Sequence, residues 1–189
     1  MKGLLIVLSG PSGVGKGTVR QVLMKDASLN LCYSVSMTTR KPRVGEVDGQ
    51  DYFFVSREEF LKHIENNDLL EHAQFVDNYY GTPKAYVEKL RNEGHNVLLE
   101  IETNGARQVM EKVKDDNKFI SIFLLPPTFG DLESRIRGRK SEPEEVIQER
   151  LSKARNELNL QNLYMYQVIN KTPEQAALEI ANIIKSSIK

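Results

Sequence analysis

Residues 10–18 read Gly-Pro-Ser-Gly-Val-Gly-Lys-Gly-Thr and follow directly on the apolar run Leu4 to Leu8. No other stretch of the chain restricts the fold so tightly. An unbroken apolar run suits a strand buried on both faces of a parallel sheet. Glycines at 10, 13 and 15 and a lysine at 16 then mark a strand–loop–helix unit whose backbone N–H groups converge on a phosphate. Glycine serves there because no Cβ stands between the amides and the anion. The helix opening after the loop adds the partial positive charge of its N-terminus. Lys16 is placed to reach the β- and γ-phosphates. Gly10, Pro11, Ser12, Gly13, Val14, Gly15, Lys16, Gly17 and Thr18 are therefore expected to bind a nucleoside triphosphate. One position departs from the usual pattern. Serine or threonine ordinarily follows the lysine and reaches magnesium, but here Gly17 stands there and Thr18 comes next. Thr18 is the candidate metal contact within the loop, directly or through water.

Further apolar runs at Val97 to Ile101, Phe119 to Leu125 and Tyr166 to Ile169 read as strands of the same sheet. Helical patterns separate them. One follows the loop over 18–25. Thr82-Pro83 reads as a helix N-cap and first helical residue, closed by Gly94. Ser141-Glu142-Pro143-Glu144 has capping-box spacing and opens a helix to about Leu160, and Thr172-Pro173 opens the last one. Strands alternating with helices predict an α/β, doubly wound parallel sheet. The alternation breaks over 31–81, where short strand-like pieces (Leu31 to Ser36, Tyr52 to Val55, Gln74 to Val76) surround a helix capped by Ser56. These predict a mixed α+β insertion. Residues 127–145 read as a second insertion. With 189 residues, the expected arrangement is one domain. Its core lies at about 1–33, 84–126 and 151–189, with an inserted segment at 34–83 and a second at 127–150.

The 26 acidic and 26 basic residues cancel, so no basic footprint for nucleic acid is expected. No apolar run approaches the length needed to span a bilayer, and the first residues lack the features of a signal peptide. With a single cysteine, Cys32, and hence no internal disulfide, the expected location is the cytoplasm. Cys32 reads as buried filler in a strand. His63, His72 and His95 are scattered without ligand spacing, so no zinc site is expected. Oligomeric state is left open.

Within the first insertion, Arg40 and Arg43 flank a chain stiffened by Pro42, and Tyr52 and Tyr79-Tyr80 follow. Arginine forks and phenol hydroxyls suit a phosphomonoester. The same residues also suit a solvated basic loop with tyrosines packed in a small core. Glu71 follows the apolar pair Leu69-Leu70. A carboxylate facing a purine accepts from guanine's N1–H and 2-amino group, a donor pair that adenine lacks. An ordinary surface glutamate would read the same way in isolation.

Taken together, these residues resemble guanylate kinases. The matching stretches are GPSGVGKGT at 10–18, SVSMTTRKPRVGEVDGQDYFFVS at 34–56, LLEHAQFVDNYYGTP at 69–83, LLEIETNGARQV at 98–109 and LESRIRGRKSEPEEVIQERL at 132–151. The resemblance implies a P-loop NTPase-type core, a nucleoside-monophosphate-binding insertion at about 34–83 and a short helical lid at about 127–150. It also implies transfer of the γ-phosphoryl group of ATP to GMP, and to dGMP, with Mg²⁺ as cofactor. By resemblance, Ser36, Glu71 and Thr82 contact guanine, while Arg40, Arg43, Tyr52 and Tyr80 hold the GMP phosphate. Glu100 lies near magnesium and Glu102 near the guanine, where the family commonly has aspartates. Arg135, Arg139 and Arg150 clamp the transferring group together with Lys16, and Asn170 lies near the adenine. The chain departs from the family at both carboxylates, at Lys140 and at Lys171-Thr172. Two other readings compete: a kinase for another nucleoside monophosphate, and a non-catalytic guanylate-kinase-like binding module. Glu71 and Thr82 weigh against the first and the intact phosphate loop against the second.

Overall fold

The computed structural model describes residues 1–138 and 143–188. In chain order the elements are β1 (Leu5–Ser9), α1 (Lys16–Leu23), β2 (Leu31–Tyr33), β3 (Met37–Thr38), β4 (Phe53–Phe54), α2 (Arg57–Glu65), β5 (Leu69–Phe75), β6 (Asn78–Pro83) and α3 (Lys84–Asn92). They continue with β7 (Asn96–Glu100), α4 (Thr103–Lys112), β8 (Phe119–Leu125), α5 (Phe129–Arg137), α6 (Glu144–Leu158), β9 (Tyr166–Ile169) and α7 (Pro173–Ile188). Five strands form a sheet in the order β2-β7-β1-β8-β9, and every pairing in it is parallel. The other four form a mixed sheet in the order β4-β3-β6-β5.

Side-chain alternation along β1 explains the layering. Leu4, Ile6 and Leu8 join one buried cluster with Val19 and Leu23 of α1 and Ile180 and Ile184 of α7. Leu5 and Val7 point the other way, into a cluster with Val87 of α3 and Ala106 and Val109 of α4. A strand covered on both faces has no polar side, which is why its sequence shows no alternation. The phosphate loop thus leaves the central strand of a doubly wound sheet. The crevice at the carboxyl ends of β1, β7 and β8 is where such folds bind ligands.

Several expectations shift. The strand expected over Leu31 to Ser36 splits: Leu31–Tyr33 pairs with β7 in the core sheet, and the chain crosses to the small sheet only at Met37. Thr82 does not cap α3. It lies within β6, Pro83 takes the cap position and the helix begins at Lys84. Ser56 does cap α2, accepting the Glu59 N–H at 3.1 Å. Cys32 is half-buried, not filler. Ser141 and Glu142, half of the expected capping box, and Lys140 lie outside the described residues. α6 ends at Leu158, two residues early. The expected lid is partly core: Leu132 and Ile136 of α5 and Ile147 of α6 join the main cluster, as does Leu151, just beyond the lid on α6. Their spacing of four residues puts each pair on one helix face.

Arg91 is fully buried and ties the sheet's lower edge together. Its Nε donates to the Gly3 carbonyl at 3.0 Å, and its other nitrogens donate to Glu88 and Asp116 at 2.8 Å and to the Lys118 carbonyl at 2.9 Å. The guanidinium holds the Asp116 carboxyl below its ordinary value. Arg91→Met is expected to lower stability in urea unfolding by about 3 kcal/mol, because two carboxylates lose their buried partner. Lys2→Ala, which removes an exposed partner of Glu88, is expected to cost less than about 1 kcal/mol. The Arg91 gap is expected to narrow in acid, since a carboxylate with a depressed value loses its contribution as pH falls through that value.

Candidate active site

The phosphate loop is held from several sides. Gly10, Gly13 and Gly15 all have positive φ. Gly15 shows why no side chain fits: a Cβ there would come within 2.8 Å of Asn170 Nδ2. That nitrogen donates to the Val14 carbonyl at 2.8 Å, and Arg135 donates to the same oxygen at 2.9 Å. Arg135 also donates to the Asn170 carbonyl at 3.2 Å. Ser12 is gripped twice from α6. Its N–H donates to Glu157 Oε2 at 3.2 Å, and its hydroxyl accepts from Arg150 at 3.2 Å. Lys16 Nζ lies across the loop, donating to the Gly10 carbonyl at 2.7 Å. Enclosure lowers its pKa, and the nearby charges of Glu157, Glu102 and Glu100 oppose that shift.

Across the crevice lies a cleft of about 620 Å³, lined by Ser36, Tyr52, Glu71, Tyr80, Glu100 and Glu102 among others. Six residues expected at the acceptor and metal sites thus share one wall. Glu71 is buried, 7 % exposed. Thr82 Oγ1 donates to its Oε1 at 2.6 Å, which is why that hydroxyl is unavailable for helix capping. Its Oε2 lies against the first turn of α4, where a Cβ at Gly105 would approach within 2.7 Å. Burial raises the Glu71 pKa, while the Thr82 hydrogen bond and the Lys112 charge partly offset that rise.

Arg40 does not line that cleft, but its guanidinium lies 5.4 Å from the ring centre of Tyr52, which does. It is gripped in a two-point ion pair by Glu46, at 3.0 and 2.8 Å. Arg43 is placed differently: it is exposed and offers Glu46 its backbone N–H at 2.7 Å. Glu102 is exposed and paired with Lys153 at 3.0 Å. Arg135 faces a loop carbonyl rather than the space above the phosphates, because α5 packs into the core beside Gly13. Arg139 lies outside the described residues. Thr18 is exposed on α1. Asn170 is buried, and its Oδ1 has no hydrogen-bond partner among the described residues.

The sequence reading missed Glu157, Lys153, Glu46 and Arg20. Arg150, Lys153 and Glu157 are spaced at i, i+3 and i+7, the period of one helix face. That signal was present, but nothing in it said that the face meets the loop. Glu46 and Arg20 are partners of predicted residues and carry no motif of their own.

The guanylate kinase family model matches residues 2–187. The chain is 53 % identical over 183 residues to the guanylate kinase of Mesoplasma florum, covering 97 % of this chain and 61 % of that protein. It is 51 % identical to the guanylate kinase of Latilactobacillus sakei, covering 98 % of this chain and 90 % of that one. Among solved structures, the guanylate kinase of Anaplasma phagocytophilum superposes with a TM-score of 0.73 at 35 % identity, covering 98 % of this chain and 86 % of that one. The chain therefore spans under two thirds of the Mesoplasma florum relative and nearly all of the Latilactobacillus sakei relative. With its sequence matched from residue 2 to residue 187, this chain belongs to the guanylate kinase family.

Proposed function

We propose that the chain transfers the γ-phosphoryl group of ATP to GMP, and to dGMP, yielding ADP and GDP. One observation carries this reading: a buried carboxylate, Glu71, lines the cleft together with Glu100, Glu102 and Glu157. A carboxylate kept from water needs donors, and guanine presents two on one edge. Arg40 and the Tyr52 and Tyr80 hydroxyls are the groups to hold the acceptor phosphate, with Arg43 joining if its exposed side chain swings in. Ser36 and Thr82 support the base side, and Asn170 the adenine side.

No residue need be covalently modified. The acceptor phosphate is already an anionic nucleophile, so no catalytic base is required. The loop amides and Lys16 place the donor's phosphates, and preorganised charge stabilises the in-line transition state. Arg150 sits by the loop through Ser12 and stands ready beside the transferring group, with Arg139 as its expected companion. Arg135 contributes by holding the loop's shape. Thr18 and Glu100 are the residues that would hold Mg²⁺. The donor set fits in kind, since the Glu100 carboxylate ends β7 beside the first turn of α1, with Oε1 3.6 Å from where a Cβ at Gly17 would stand and Oε2 paired with Arg20 at 3.1 Å. The chemistry that Mg²⁺ held there would supply is neutralisation of charge on the donor's phosphates. A reducing cytoplasm suits a chain whose only cysteine is free.

Steady-state kinetics test the reading. Arg40→Ala is expected to raise KM for GMP by about tenfold or more, the value of a charge-assisted contact, with KM for ATP unchanged. An unaltered KM for GMP overturns the acceptor assignment. Glu71→Gln is expected to erode the preference for GMP over AMP. The same variant is expected to gain stability over the native chain as pH rises from 4 to 8 in urea unfolding. The sign follows from burial: a carboxyl with a raised value favours the folded state only while protonated, and the native chain loses that contribution as pH climbs.

A further inference from the structure

A second cavity, of about 640 Å³, opens between α1 and the turn that leads into β4. Arg20 and Lys25 line it from the core, and Asp51 and Tyr52 from the insertion. Tyr33, Ser36 and Tyr52 line both this cavity and the cleft that holds Glu71, so the two adjoin along these residues. Ser36 and Tyr52 are already acceptor groups on the reading above. Arg20 and Tyr33 have no role in it.

Arg20 is built into that junction. Tyr33 and Glu100 end the neighbouring parallel strands β2 and β7, at the end of the sheet where such folds take their ligands. Arg20 reaches both. Its guanidinium carbon lies 4.3 Å from the centre of the Tyr33 ring, and its Nε lies 3.1 Å from Glu100 Oε2. The stem is fixed by α1, whose Val19 and Leu23 are buried in the main cluster. A long, flexible cation is thus held in one place, with 26 % of its side chain still exposed. A guanidinium carries five N–H donors, so one carboxylate and one ring face do not exhaust it.

The charges around the cleft call for such a cation. Glu71, Glu100, Glu102 and Glu157 line it, and a phosphomonoester adds further negative charge beside them. Among the described residues lining the two cavities, the cations are Arg20, Lys25 and Lys153. Lys153 is engaged by Glu102 at 3.0 Å, and Lys25 is exposed beyond the end of α1. Arg40 shares its fork with Glu46. Arg20 is the enclosed cation beside both Glu100 and the acceptor groups, where it offsets the repulsion between that carboxylate and an arriving phosphate.

We propose that Arg20 holds the acceptor's phosphate from the core side, opposite the Arg40, Tyr52 and Tyr80 group of the insertion, with Tyr33 as its positioning residue. The stack on Tyr33 keeps the fork in the cavity, and an arginine fork suits phosphate oxygens. The proposal rests on the reading of the cleft as an acceptor site.

Calorimetric titration of GMP and of guanosine into the protein tests it without turnover. The readout is the ratio of the two affinities, which isolates the phosphate. Arg20→Met is expected to lower that ratio by about tenfold or more, the scale of a charge-assisted contact, with guanosine binding retained. Arg20→Lys is expected to recover part of the ratio, since it returns the charge without the fork. Tyr33→Phe, which keeps the ring, is expected to leave the ratio intact, and Tyr33→Leu to lower it. Lys25→Met, which removes a charge from the same cavity, is expected to leave it intact. An unchanged ratio in Arg20→Met, whether both ligands bind as before or both weaken together, overturns the proposal and leaves the acceptor site standing. An equal fall in Lys25→Met also overturns it, because the effect then belongs to the charge of the cavity and not to a contact. Failure of the native protein to bind GMP more tightly than guanosine overturns the acceptor reading itself.

Discussion

The Val14 carbonyl accepts hydrogen bonds from Asn170 and Arg135, side chains more than a hundred residues away in sequence. The rest of the site depends on this clamp. A loop of glycines is intrinsically loose, and its amides converge on a phosphate only if the backbone is held. One end is fixed by β1, buried on both faces, and the other by α1. The middle is fixed from outside, by α5 and the residue after β9 at Val14 and by α6 at Ser12. The donors stay aimed with little reorganisation at the moment of reaction, which is what makes electrostatic stabilisation effective.

The same architecture sets two charge systems against each other. On the loop side, Lys16 sits among Glu100, Glu102 and Glu157, and these carboxylates counter the cost of enclosing it. In the insertion, Arg40 is held by Glu46, and the buried Glu71 is steadied among the described residues by the Thr82 hydroxyl and the charge of Lys112. A carboxylate held this way is poorly satisfied by protein alone, and on the proposed reading a ligand with matched donors completes it.

Much of this was legible in the chain. The loop, the parallel α/β core and the inserted segment announced themselves through local patterns, and β8 and β9 have the very bounds read from their apolar runs. Glu71, Ser36, Tyr52 and Tyr80 do converge on one cleft. What misled was dual chemistry. Thr82-Pro83 has the look of a helix start, but its hydroxyl is claimed by Glu71 across the strand pair. Arg135 reads as a free lid arginine, but the apolar stripe of α5 turns it onto the loop.

The sequence alone determined that a glycine-rich loop follows a buried strand and opens a helix, because that motif is written in nine consecutive residues and enforced by local backbone geometry. It also determined that a second, arginine- and tyrosine-bearing segment is inserted. Only the tertiary structure decided which carboxylates meet which cations. Glu157 reaches Ser12 across 145 positions, and Arg20 meets Glu100 across 80. Such pairs have no local signature, since they exist only once the sheet brings the carboxyl ends of its strands together. Gly17 belongs to the same class: its lack of a hydroxyl is visible in the sequence, but the Glu100 carboxylate beside it is visible only in space.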